Sequence, residues 1–214
     1  MLLKSFTILL AASAGFVSAQ SSSRRPLSYA PQPQDVYFPP KTQSVTTLLD
    51  FIKAKPELST LLGLLDGSAG FVQAFQTEPT WDFTFFAPSN DAFENLGEYY
   101  RTFLATPRGK WWFGNQMMHH YVPNTALNST AFNATETRIQ TATYQYIGAK
   151  LSAGKLVLNG VATVTNPDNN ITKGMVHIVD HVLDPSAQIY NVQLPAEPQA
   201  FIPGSCSNPN LAYC

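Results

Sequence analysis

Four histidines, His119, His120, His177 and His181, are the first residues in this sequence whose type suggests chemistry. His177 and His181 are four apart, a spacing that would put two imidazoles on one side of a helix. Their surroundings, Met175 to Leu183, read instead as a strand. There, four residues at about 3.3 Å each would separate the rings by about 13 Å. Zinc–nitrogen bonds of about 2.0 Å do not span that distance. His119 and His120 are adjacent and point in different directions, so no metal or other cofactor is expected. His120 and His177 read as buried hydrogen-bonding residues. Ser89, between Pro88 and Asn90, has the type of a nucleophile but the position of a helix N-cap. Asp91 and Asp180 are a nominal carboxylate pair with simpler uses, in a helix first turn and at a strand end. The sequence has no G-x-S-x-G elbow, no phosphate-cradling glycine loop and no H-E-x-x-H. No catalytic residue is therefore assigned.

Binding is a different matter. Tyr99, Tyr100, Trp111, Trp112 and Phe113 crowd into one short segment, interleaved with Arg101, Arg108 and Lys110 and followed by Met117-Met118. So many rings cannot all face one buried helical stripe. The segment is either a surface patch for an aromatic ligand, a sugar or a partner protein, or core with snorkelling basic stems. Tyr99, Tyr100, Arg108, Lys110, Trp111 and Trp112 are the candidate binding residues. Trp111 and Trp112 should point to different sides of a helix, one inward and one outward.

The ends of the chain say where it works. Residues 1–19 read as a secretory signal: Lys4, the apolar run FTILLAASAGFV, then Val17-Ser18-Ala19 as a small-residue cleavage site. That run is too short to span a bilayer, which takes about 17–25 residues. The expected product is secreted and extracellular, with no membrane span and no lipid-anchor tail. Residues 20–41 form a Pro/Ser-rich leader, either a linker or a peptide lying along the domain, and Arg24-Arg25 is a candidate processing pair. Export gives meaning to the sequons at Asn128, Asn133 and Asn170. In an oxidising compartment Cys206 and Cys214 are expected to pair within the Pro-rich tail, residues 187–214. Closing so short a loop is worth about 2.6 kcal/mol, and only locally.

Between these ends lies one domain, residues 42–186. Net charge is −1, so no basic field draws nucleic acid. The first half is helical: a capped start at Ser44–Thr47, apolar stripes through Val45–Ile52 and Leu58–Leu65, and a short helix at Gly70–Phe75. Trp81 to Ala87 reads as a strand bounded by Pro88, and Ser89 caps a helix opening on Asn90 and Asp91. Gly97 to Tyr121 is again helical, interrupted near Pro107-Arg108-Gly109. After Pro123 come short strands at Arg138–Thr143, Tyr144–Lys150, Lys155–Leu158, Val161–Thr165 and Met175–Leu183, with Asn159-Gly160 as a hairpin signal. Helices first and strands after make an α+β domain.

The segment order resembles the fasciclin domain family. Phe83-Thr84-Phe85-Phe86-Ala87-Pro88-Ser89-Asn90-Asp91-Ala92-Phe93 is similar to the family's first homology segment, a strand running into a capped helix. Gly174-Met175-Val176-His177-Ile178-Val179-Asp180-His181-Val182-Leu183-Asp184-Pro185 is similar to the closing segment. His119-His120-Tyr121-Val122-Pro123 falls where the family carries Tyr-His before an apolar-Pro turn, with His119 in the tyrosine position. Its character looks like that of small secreted fungal single-domain members. The resemblance implies N-terminal helices packed on a wedge-shaped, mostly antiparallel sheet in which the two homology segments are neighbouring strands. It also implies a non-catalytic, adhesion-type binding or scaffold role, with an extracellular protein or a cell-wall or matrix component as partner. The Asp-Ile integrin motif of animal members is not carried over, because His181 follows Asp180. An alternative implication is an accessory that assists an extracellular laccase or other oxidase in coupling aromatic polyketide pigments, holding an aromatic small molecule. A third class, a free-standing hydrolase, would require turnover by the protein alone.

Overall fold

The computed structural model describes residues 38, 40–68, 70–187, 191 and 193–199. The signal segment, nearly all of the leader with Arg24-Arg25, and the Cys206–Cys214 loop lie outside the described residues.

Six helices dominate the first half: α1 Leu48–Lys53, α2 Ser59–Asp66, α3 Phe71–Gln76, α4 Asn90–Glu94, α5 Gly97–Leu104 and α6 Pro107–His119. Their starts follow local chemistry. Thr47 opens α1 with a capping box: its hydroxyl accepts from Asp50 N at 3.2 Å, and the Asp50 carboxylate accepts from Thr47 N at 2.9 Å. The cap is thus Thr47, the last residue of the Ser44–Thr47 stretch in which the sequence places the capped start. Ser89 caps α4 by accepting from Ala92 N, as its position indicated. The interruption near Pro107 is a helix boundary: Thr106 caps α6 and Pro107 takes the first turn, where its missing N–H costs nothing.

Seven strands, β1 Phe83–Pro88, β2 Tyr121–Pro123, β3 Thr137–Gln140, β4 Tyr146–Ser152, β5 Lys155–Leu158, β6 Ala162–Ile171 and β7 Gly174–Val179, join in one sheet ordered β2-β1-β7-β6-β5-β4-β3. The two homology segments are indeed neighbours. They pair in parallel, from Phe83 opposite Gly174 to Pro88 opposite Val179, and every other pairing is antiparallel. The sheet is mostly antiparallel, as the resemblance implies, and curls nearly into a barrel. Asn159 and Gly160 both adopt positive φ, 50° and 69°, the requirement of a primed hairpin turn. Ala153-Gly154 makes a second such turn, at 50° and 76°.

β1 and β7 are buried along their whole length because both sheet faces are covered. Phe83, Phe85, Ala87, Val176 and Ile178 join the leucines of α1 and α2 in a helix-side core. Phe86 and Val179 turn to a second core made with Ile139, Ile147, Leu156, Leu158 and Val164 inside the curl. The period-2 alternation therefore sorts residues between two cores rather than between core and water.

Candidate functional site

The buried histidines come first, because they decide whether a reactive centre exists. His120 ends α6 and is fully buried. Its Nδ1 lies 2.5 Å from Phe86 O, and its Nε2 accepts from Leu183 N at 2.8 Å. With one nitrogen donating and one accepting, the ring is a neutral crosslink joining β1, α6 and the chain after β7. Burial pushes its pKa down to about 3, against the opposing pull of Phe86 O. His177 on β7 does the same work in the second core, stacked on Phe86. Its Nε2 is 2.8 Å from Leu127 O and its Nδ1 accepts from Asp168 N at 3.2 Å. Burial holds its pKa below the usual value as well. Neither ring has a nitrogen left for proton transfer or a metal.

His119 differs. It is also fully buried, with Nδ1 at 3.0 Å from both Thr141 Oγ1 and Thr143 Oγ1, while Nε2 has no hydrogen-bond partner among the described residues. Burial lowers its pKa to about 4, although Asp184 pulls the other way. His181 lies beyond the end of β7, not within a strand as the sequence suggested, and pairs with Asp180 at 2.8 Å.

The acidic and capping residues have structural duties. Asp180 Oδ1 accepts from Thr163 N at 2.6 Å, and Asp91 is exposed in the first turn of α4. Asn90 supplies what α2 lacks. Leu58 precedes α2 without a side-chain cap, so Asn90 Oδ1 accepts from Thr60 N at 2.9 Å and its amide nitrogen donates to Pro56 O at 3.1 Å.

The aromatic-basic segment is divided among three places. Tyr100 stacks on Trp112 at 5.4 Å, Phe103 meets Trp112 edge-on at 6.0 Å, and Tyr99 stacks on Phe103 at 6.4 Å. This ladder ties α5 to α6. Trp112 is half-buried, whereas Trp111 is 60% and Tyr99 76% exposed. The two tryptophans thus do point to different sides. Lys110 leaves this group for a cleft of about 440 Å³ between α2, α4, α5 and α6. That cleft has an apolar floor of Leu64, Phe93, Leu104 and Phe113, with Arg101, Lys110 and Glu94 around it. The Lys110 ammonium lies over Gly67, 3.4 Å from where a Cβ would stand. Arg108 is exposed on the first turn of α6. The six candidate residues therefore do not converge on one site.

A second cleft, also about 440 Å³, runs along the other side of α6 past Trp112, Asn115, Gln116 and Met118 to Thr143, Tyr144, Gln145 and Asp184. Sequence patterning placed Tyr144 and Gln145 in a strand; the structure puts them at a tight turn before β4, with Tyr144 at φ 62°. No breaker residue marks that turn. Gln116 was also missed. With its amide oriented to satisfy both ends, it donates to Leu183 O and accepts from Trp112 Nε1 at 3.0 Å, fixing the indole. Among the sequons, Asn133 and Asn170 are exposed and Asn128 is half-buried. No helix among the described residues is long and apolar enough to cross a membrane.

Comparison with known proteins fits this geometry. The family model described as the fasciclin domain matches residues 56–185. A Synechocystis sp. protein, sll1483, is 28% identical over 144 residues, covering 67% of this chain and 76% of its own length. Human periostin is 27% identical over 158 residues, 74% of this chain but 18% of periostin. In structure, the fasciclin domain pair of the insect cell adhesion molecule fasciclin I superposes with a TM-score of 0.55 at 18% identity, covering 67% of this chain and 53% of that one. The strand-to-capped-helix segment, its parallel partner β7 and the family match over most of the domain agree: this chain belongs to the fasciclin domain family.

Proposed function

We propose that this chain is a secreted, non-catalytic binding protein that works by adhesion, holding an extracellular protein or a cell-wall or matrix component. The observation that carries it is the contrast between interior and surface. His120 and His177 are spent as neutral crosslinks, while Tyr99 and Trp111 stand 76% and 60% exposed beside an aromatic ladder. Large aromatic rings exposed at a surface are the residue types in which binding hot spots are enriched. The insect protein with the same fold is a cell adhesion molecule, which agrees.

The test is retention of purified protein on cell-wall or matrix preparations. Tyr99→Ala with Trp111→Ala should weaken retention at least about tenfold, equivalent to about 1.4 kcal/mol, with the melting temperature unchanged. Unaltered retention, or turnover of a substrate by the purified protein alone, overturns the proposal.

A second reading has its own support in the α2/α4/α5/α6 cleft. An apolar floor beside Arg101 and Lys110 suits an anionic phenolate, the aromatic small molecule that an accessory of an extracellular oxidase would hold. In that case a laccase should change its yield or product ratio when the protein is added, and Lys110→Met should cancel the change.

A further inference from the structure

The cleft on the Trp112 side of α6 has a chemistry of its own. No lysine or arginine lines it, and Asp184 does, so it disfavours anions. Its other polar groups are uncharged: the amides of Asn115 and Gln145 and the hydroxyls of Thr143 and Ser186.

Two features there bear on a ligand. Tyr144 holds φ 62°, a left-handed conformation that disfavours a residue with a bulky side chain, and its ring is 85% exposed. The turn joining β3 to β4, closed by Tyr144 N donating to Thr141 O at 2.9 Å, takes up that conformation and leaves the ring facing solvent at the edge of the cleft. Beside it, Gln145 Oε1 is buried with no hydrogen-bond partner among the described residues. Thr143, which lines the cleft, holds Nδ1 of His119 at 3.0 Å; His119 itself is fully buried behind the lining. Native folds rarely leave an atom such as Gln145 Oε1 unpaired, and each exception calls for a partner.

We propose that this cleft binds a pyranose unit of a neutral glycan. The exposed Tyr144 ring offers a negative π-face to the weakly positive C–H face of a sugar ring. The amides and hydroxyls supply donors and acceptors matched to sugar hydroxyls, and the Asp184 carboxylate accepts from one of them. A glycan of this kind is a wall or matrix component, so the inference rests on the adhesion reading and names its ligand class.

The experiment titrates the purified full chain with cellohexaose, laminarihexaose and chitohexaose by calorimetry and tryptophan fluorescence. At least one should bind saturably, with an affinity unchanged between about 0.05 and 0.5 M NaCl because no charge pairing is involved. Tyr144→Gly removes the ring and relieves the positive φ. It should weaken binding at least tenfold without lowering the melting temperature. Gln145→Ala should weaken it too, whereas Lys155→Met, exposed at the start of β5 and outside both clefts, should have no effect. Failure of all three saccharides to bind up to about 10 mM, or equal binding by Tyr144→Gly, overturns the assignment. If wall retention persists while these saccharides fail, the glycan cleft is wrong and adhesion stands. If saccharides bind the cleft while retention ignores Tyr99 and Trp111, the adhesion surface is wrong and the cleft stands.

Discussion

Gly109 and Gly63 should answer the same substitution with opposite signs. Gly109 sits in the first turn of α6 with the end of α5 pressed against it. An added Cβ would stand 1.9 Å from Phe103 O and 2.8 Å from Leu104 Cα, and its neighbours are backbone, which cannot rotate aside. To admit the methyl group, α5 and α6 must part. Overpacking costs about 1–3 kcal/mol. The shift also strains the bond from Gly109 N to Thr106 Oγ1, 3.0 Å long, and losing a cap costs about 1 kcal/mol. Gly109→Ala should therefore destabilise the domain by about 3 kcal/mol, which lowers the melting temperature of a domain this size by about 6–12 °C. Gly63 lies exposed in α2, and a methyl group added there would meet nothing within 4 Å. Gly63→Ala should stabilise by about 0.5–1 kcal/mol through helix propensity, a rise of about 1–4 °C. Thermal unfolding followed by circular dichroism reads both. Parting the helices should also unstack Tyr100 and Phe103 from Trp112, visible as a red shift in emission. A Gly109→Ala protein melting within about 1 °C of the parent would refute the close approach of the two helices.

The buried histidines set a pH response. His119 and His120 have folded pKa values of about 4 and 3, below the unfolded value of about 6.5. Only the unfolded chain takes up protons in that window. Above pH 6.5 they contribute nothing, and stability should fall by about 3–4 kcal/mol between pH 7.5 and 5; a flat melting temperature over that range would contradict it. Trp111→Ala should leave stability within about 0.5 kcal/mol of the parent, whereas Trp112→Ala should cost about 2–3 kcal/mol, because it empties a half-buried site and strands Gln116; equal costs would show that the ladder is misassigned. If the chain is exported by a glycosylating host, the exposed Asn133 and Asn170 should carry glycans more fully than Asn128; site mapping by mass spectrometry decides, and occupancy of Asn128 alone would reverse the ranking.

Much of the fold was legible because its signals are local. Thr47 and Ser89 sit where a hydroxyl meets free helical N–H groups, and Asn159-Gly160 declares a turn by its tolerance of positive φ. Segments Phe83–Phe93 and Gly174–Pro185 carried the family resemblance, from which their adjacency followed; periodicity cannot report parallel pairing across so long a separation. The surface was read less well. Tyr99 to Met118 looked like one patch because its residues are consecutive, yet a helix turns about 100° per residue, which sends Lys110 and Trp112 to opposite clefts. Tyr144 escaped notice for another reason. Its turn is held by Tyr144 N to Thr141 O and Thr141 N to Gln145 O, both 2.9 Å, and neither glycine nor proline is involved.

α6 is consequently the element that the two proposed binding clefts share. One of its sides, with Lys110 and Phe113, walls an apolar cleft edged by Arg101, Lys110 and Glu94; the other, with Trp112, Asn115 and Met118, walls a polar one whose charged lining residue is Asp184. The helix is pinned at both ends by contacts that allow little adjustment. Gly109 abuts the α5 backbone at the start, and His120 bridges Phe86 and Leu183 at the finish. Any shift that widens one cleft must move a wall of the other. A fasciclin domain built this way can vary its ligands through side chains on the two sides of α6 while its sheet and histidine crosslinks stay constant. His119, in the position where the family resemblance leads one to expect tyrosine, lies behind the polar cleft: its Nδ1 meets the hydroxyls of Thr141 and Thr143, and its Nε2 is left without a partner among the described residues. Substitutions that change binding should therefore cluster along α6 and the turn at Tyr144, and those that destabilise the fold at Gly109, His120 and His177.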